Sequence, residues 1–244
     1  MSVAIFGATS RLSHALALEY GRLGLSVYLA ARDVDEAARI AMDVEVRTKA
    51  NVCFGEFNAL DFNSHTKLLR DIEEKVGPLT VGVVAFGDMG NQEESASNFE
   101  AARRVFDINY TGAASISEAL ASTFESRSQG SIIGLSSVAG ERGRQSNYFY
   151  GSAKGAFSLY LQGLGHRLAR SDAHVLTVKL GFIDTRMTYG LDTVLPVAKP
   201  ESAAKAIVRA QLRRKSELYY PSFWGPVMGI IRALPDKIMH KTRL

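Results

Sequence analysis

The stretch Val3-Ala4-Ile5-Phe6-Gly7-Ala8-Thr9-Ser10-Arg11-Leu12-Ser13 joins a short apolar run to a glycine turn and then to the start of a helix. Four apolar residues closed by glycine suit a buried strand. Leu16, Leu18 and Leu23 carry the pattern on into a helix. The same alternation recurs along the chain. Further strands are predicted at Val27 to Ala30, Val52 to Phe57, Val81 to Ala85, Ser131 to Leu135, His174 to Leu180 and Leu218 to Tyr220. Helices are predicted around Asp35 to Lys49, Thr66 to Val76, Phe99 to Thr123, Tyr148 to Ala169 and Glu201 to Arg213. Strands alternating with helices in this way imply an α/β fold whose sheet is parallel and covered on both faces.

The architecture expected is therefore a single Rossmann-like, doubly wound parallel sheet of about seven strands, followed by a C-terminal helical tail. Residues 1–220 form the dinucleotide-binding domain and 221–244 an apolar, basic tail. A chain of 244 residues, 46% hydrophobic and 22% charged, is long enough for one well-buried core. Cys53 is the single cysteine, which excludes an intrachain disulfide. Met1 leads straight into the first strand with no basic segment, and no run of about 18 apolar residues occurs, so a secretory leader and a spanning helix are not expected. A cytoplasmic location is expected, with peripheral contact at the inner membrane face as a further option. His14, His65, His166, His174 and His240 have no ligand spacing, so no metal site is expected. Met187, Met228 and Met239 read as packing residues.

In a doubly wound sheet, ligands bind at the carboxyl ends of the strands. The turn after the first strand is placed to approach a pyrophosphate through Gly7, with Ser10, Arg11 and Leu12 opening the helix whose N-terminus favours an anion. Arg11 and Ser13 stand where the second and third glycines of a phosphate-binding turn would be. Arg11 either supplies charge to the phosphates or points to solvent. At the end of the second strand, Ala31 stands where an NAD-binding protein has a carboxylate, and Arg32 follows it. An arginine there accommodates a 2′-phosphate, so NADP(H) is favoured and NAD(H) is the alternative. Asp33 is read as the cap of the next helix.

Tyr150 and Lys154 are four apart, on one face of the predicted helix. A phenol titrates near pH ~10, and a neighbouring ammonium favours the phenolate, bringing the tyrosine toward the range useful for general acid-base work. The pair alone is weak: 9 tyrosines and 10 lysines give about 0.4 such pairs by chance. Ser137 can hydrogen-bond a reacting oxygen, and Asn109 can hold a water that links the lysine to solvent.

Together these motifs resemble the short-chain dehydrogenase/reductase family over nearly the whole chain. Asn109 lies in Ile108-Asn109-Tyr110-Thr111-Gly112, and Ser137 precedes Tyr150 by 13 residues. The resemblance implies hydride transfer, with Tyr150 as acid-base group, Lys154 on the cofactor ribose and Ser137 on the substrate oxygen. It implies that Asp61 and Phe62 contact adenine, and that the segment with Gly181, Ile183 and Thr185 closes on the nicotinamide. The chain departs from the family at the glycine turn, at Val84-Ala85-Phe86-Gly87 in place of an asparagine-rich turn, and at Leu180 in place of proline. Phe86 and Gly87 keep their place beside the cofactor. An oligomer, dimer or tetramer, is also implied.

The strings Val83-Val84-Ala85-Phe86-Gly87, Asn58-Ala59-Leu60-Asp61, Ala139-Gly140-Glu141-Arg142 and Thr185-Arg186-Met187 resemble a branch that reduces keto-pentoses carried on decaprenyl phosphate in cell-wall synthesis. That implies a lipid-linked carbonyl substrate. Arg142 and Arg144 either pair with its phosphate or belong to a solvated loop. The tail holds four of the basic residues, Arg232, Lys237, Lys241 and Arg243, against Asp236, a charge of +3 out of the +4 total. With Phe223 and Trp224 it either lies at an anionic membrane interface or packs on the domain or a second subunit. No basic stripe with interleaved aromatics crosses the domain, so nucleic acid is not an expected partner. The alternatives to a lipid-linked substrate are a soluble ketone, or nucleotide binding without turnover.

Overall fold

Strands and helices alternate from the first residues, each bounded by local signals. In the computed structural model, which describes residues 1–188 and 196–241, β1 (Ser2–Phe6) leads into α1 (Arg11–Arg22). Then follow β2 (Ser26–Ala31), α2 (Val34–Thr48), β3 (Val52–Glu56), α3 (His65–Val76) and β4 (Leu79–Val84). Two short helices, α4 (Gln92–Ser97) and α5 (Phe99–Phe106), precede α6 (Ala113–Ser126). The rest is β5 (Ser131–Ser137), α7 (Tyr148–Leu168), β6 (His174–Leu180), α8 (Pro200–Leu212), β7 (Glu217–Tyr220), α9 (Trp224–Ala233) and α10 (Asp236–Met239). Side-chain caps start several helices by satisfying otherwise orphaned N–H groups. Asp33 accepts from Glu36 N at 2.9 Å, as expected of it, and Ser10 accepts from Ser13 N at 3.0 Å.

Among the described residues the sheet has seven strands in the order β3-β2-β1-β4-β5-β6-β7, every pair parallel. Side chains of β1 alternate between two apolar layers. Val3 and Ile5 face Leu16, Val44 and Ile207 of α1, α2 and α8, while Ala4 and Phe6 face Ile72, Leu120 and Phe157 of α3, α6 and α7. The order reverses between β1 and β4, which opens a crevice at their carboxyl ends.

One expectation changes, and one of the tail's two expected placements is seen. The long helix from Phe99 to Thr123 is divided by a π-helical stretch, Asp107–Gly112, which periodicity does not reveal. The tail packs on the domain: Trp224 and Met228 are buried against Val138, with Phe182 and Tyr219 beside them. Trp224, 3% exposed, is therefore not a headgroup residue. No helix among the described residues is long and apolar enough to cross a membrane. Arg243, counted in the basic tail, lies outside the described residues.

Candidate active site

The crevice is built from strand ends. At the first turn, Gly7 has φ +90°, a conformation that glycine adopts without strain. A Cβ there would lie 2.7 Å from the Phe86 backbone nitrogen, so the turn and the segment after β4 touch backbone to backbone. Ser13, in place of a third glycine, turns inward: its hydroxyl donates to Gly7 O at 2.8 Å and lies 2.8 Å from Ser10 Oγ. The turn thus keeps its shape through hydroxyl bonds instead of glycines. Ser10 caps α1, and the side chain of Leu12 is in the core, leaving its backbone to the turn. Arg11 is exposed, as in the second of its two expected roles, and it has a partner that was not foreseen. Its Nη1 is 2.6 Å from Asp184 Oδ2, an exposed ion pair across the crevice mouth.

Arg32 lies exposed just past β2, with no hydrogen bond or ion pair among the described residues. Asp61 and Phe62 are exposed before α3, the Phe62 ring 6.3 Å from His65. On the far side, Ile183 is buried and bridges to Ala198, and Thr185 N donates to Thr188 Oγ1 at 3.3 Å. Gly181 lies beneath Trp224, close enough that a Cβ would strike the indole.

Asn109, Ser137, Tyr150 and Lys154 are gathered where β4, β5 and α7 meet. Lys154 Nζ donates to Leu135 O at 3.0 Å and Phe86 O at 3.5 Å. A Cβ on Gly87 would be 3.2 Å from Lys154 Nζ and 2.8 Å from Asn109 Oδ1, so both side chains converge on this residue. Asn109 is fully buried and occupied. Its Nδ2 donates to Asp88 O at 2.6 Å and Val105 O at 2.8 Å, and its Oδ1 accepts from Asp88 N at 3.1 Å. The amide therefore fastens the loop after β4 to the π-helical turn. Both amide hydrogens are thus taken by backbone carbonyls, while Oδ1, with a single donor, keeps a second lone pair. Ser137 Oγ accepts from Ala139 N at 3.1 Å and donates to Leu180 O at 3.4 Å.

The electrostatics also differ from expectation. Burial pushes the Tyr150 phenol up to about 12, against the opposing pull of its hydrogen bond to Ser137. Burial pushes the Lys154 ammonium down to about 8. The lysine was expected to lower the tyrosine, but it lies 6.0 Å from the ring centroid and is held by backbone carbonyls. Desolvation dominates both groups.

These features fit a dinucleotide. A glycine turn leads into a capped helix, an exposed arginine follows β2, and a buried ammonium has carbonyl partners but no carboxylate among the described residues. Gly7, Ser10 and the start of α1 would hold the diphosphate, Arg32 a 2′-phosphate, and Lys154 ribose hydroxyls.

The chain matches the family model for short chain dehydrogenases over residues 1–194. It belongs to the short chain dehydrogenase family. It is thus an NAD(P)-dependent oxidoreductase. An uncharacterized oxidoreductase of Mycobacterium tuberculosis is 31% identical over 233 residues, covering 96% of this chain and 93% of the relative. In fold, the chain is similar to a short-chain dehydrogenase from Sphingobium yanoikuyae in complex with NADPH (TM-score 0.82, 20% identity, 100% and 97% coverage). It is also similar to actinorhodin polyketide ketoreductase with NADPH (TM-score 0.80, 19% identity, 90% and 95% coverage).

Sequence reading missed Asp88 and Lys179 as neighbours of the site, and the side-chain partners of Asp184, Glu141 and Trp224. Glu141 and Lys179 are 2.7 Å apart and both buried. A charged residue inside strand β6 was the available signal, because an unpaired charge is rarely buried.

Proposed function

We propose that this protein reduces a ketone to a secondary alcohol with NADPH. The observation that carries the reading is the Ser137–Tyr150–Lys154 cluster, in which a buried phenol lies beside a buried ammonium that has no carboxylate partner among the described residues. When bound, the nicotinamide supplies a hydride to the carbonyl carbon. Ser137 donates a hydrogen bond to the carbonyl oxygen, and Tyr150 Oη gives that oxygen its proton as charge develops. Lys154, held near 8, is poised to return a proton toward the phenolate at neutral pH. Arg32 supports the choice of NADPH over NADH because its guanidinium is free to form charged hydrogen bonds to a phosphate.

The finer reading is a ketone carried on a lipid phosphate. Arg142 is engaged by the tail, donating to Leu234 O at 3.1 Å and pairing with Asp236 at 2.5 Å. The phosphate partner we favour is therefore Arg144, half-buried with its Nε unpartnered and its guanidinium lowered by burial. Ile230 and Ile238 are exposed on the outer face of the tail beside Lys237 and Lys241, which suits contact with an anionic membrane surface.

The test is NADPH consumption with a panel of carbonyl compounds, from soluble ketones to polyprenyl-phosphate keto-sugars. Turnover that disappears in Tyr150→Phe is expected. Consumption unaffected by that change, or absent with every carbonyl, would defeat the reading. Co-sedimentation with anionic vesicles, reduced by salt, checks the membrane face.

A further inference from the structure

The loop that follows Ser137 is gripped by the tail at three levels. Val138, the next residue, packs on Trp224 and Met228 of α9. Glu141, with its side chain 8% exposed, receives Lys179 Nζ at 2.7 Å, Tyr219 Oη at 2.8 Å and Arg232 Nη1 at 3.2 Å. Lys179 is paired in turn with Glu217. Arg142 closes the set on Asp236 and Leu234 O. The opposite wall is held by the same helix, because Trp224 lies over Gly181 and its ring centroid is 5.8 Å from that of Phe182. Ser137 sits between these two walls, with its hydroxyl on Leu180 O.

We propose that the segment from Trp224 to Asp236 is a clasp that sets the position of Ser137, and that Glu141 is the positioning residue through which it acts. Glu141 is suited to this because it joins four elements at one carboxylate: its own loop, β6 through Lys179, β7 through Tyr219, and α9 through Arg232. A buried carboxylate with several charged and hydroxyl donors is fixed in direction, since each lost partner leaves a charge unpaired. Helix α9 cannot move without disturbing the turn at Val138. A displacement of about 1 Å at a hydrogen-bond donor is enough to reduce turnover strongly. The clasp's effect on turnover rests on the reductase reading; its effect on the loop does not.

The experiment uses the full chain with Arg232→Ala and Asp236→Ala combined, changes confined to the tail. Trp224, the single tryptophan, reports docking through its emission and its quenching by acrylamide. Three results are expected: red-shifted, more quenchable emission, faster amide exchange across residues 137–144, and a fall of about tenfold or more in kcat with NADPH affinity within about twofold. Arg232→Lys with Asp236→Glu should restore all three. Unchanged emission would overturn the role of the ion pairs. Undocked Trp224 with unchanged exchange at 137–144, or with unchanged kcat, would overturn the clasp. A parent protein inactive toward every carbonyl would defeat only the reductase reading, because emission and exchange need no substrate.

Discussion

The Lys154 ammonium lies 6.0 Å from the Tyr150 ring centroid, in a pocket that leaves neither residue more than 8% exposed. Their mutual attraction is outweighed by the loss of water around each, so the phenol rises and the ammonium falls. The pair therefore rests with its proton on the phenol, the form a reductase needs.

Tyr150→Phe is expected to lower kcat by about 10²–10⁴-fold, the range lost with a general acid. NADPH binding, followed by cofactor fluorescence, should persist. Near-normal turnover would remove Tyr150 from the proton-transfer role.

Lys154→Met is expected to abolish turnover and yet stabilise the fold. The lysine titrates near 8 when folded and near its ordinary 10.5 when unfolded. Between those values the unfolded chain binds more protons, so stability rises with pH across that window. The full cost of the buried charge, up to about 3 kcal/mol, is present below pH 8. Thermal melts should show a higher Tm for the variant at pH 7 and a flatter rise from pH 8 to 10.5. A lower Tm at pH 7 would contradict this.

Arg32→Ala should weaken NADPH by about 1.5–3 kcal/mol, the range for a hydrogen bond to a charged group, and leave NADH nearly unchanged. Titration calorimetry with both cofactors checks it. Equal affinities in the unmodified protein would sink the assignment.

Gly181→Ala should drive the Trp224 indole from its seat, because the new methyl would meet the ring. A destabilisation of about 1–3 kcal/mol is expected, as for other overpacked sites, with red-shifted emission. Unshifted emission and unchanged stability would show that the tail relaxes freely.

Acid should loosen the tail before the core. Burial works against the Glu141 charge, but Lys179, Tyr219 and Arg232 outweigh it and hold the carboxyl below its ordinary value. The stabilisation is whole above the unfolded value of 4.5 and is lost as pH falls through the lower folded value. Trp224 emission should therefore shift below pH 4.5, and Glu141→Gln should lack that step. An identical acid profile in the variant would exclude Glu141 as its source.

The sheet was legible because burial on two faces imposes continuous apolar runs such as Val3 to Phe6, and helices impose their own period. Tyr150 and Lys154 were legible because one helical turn joins them. Asn109 was singled out by its segment, but its side-chain partners were not foreseen. The π-helical turn that aims it at Asp88 leaves no periodic trace. The pairings of Arg11 with Asp184 and of Arg142 with Asp236 were invisible for a different reason: each joins residues far apart in sequence, and no local rule selects one carboxylate among 25 acidic residues.

The docking of α9 on the Val138 turn has a temporal consequence. Ribosomal synthesis is vectorial, at roughly 5–20 residues per second, so the sheet and all four central side chains emerge before Trp224 does. A nascent chain that has reached Tyr220 already holds Asn109, Ser137, Tyr150 and Lys154, but its Glu141 still waits for Arg232. Chemical competence would then arrive only once the segment through Asp236 has been made and has docked.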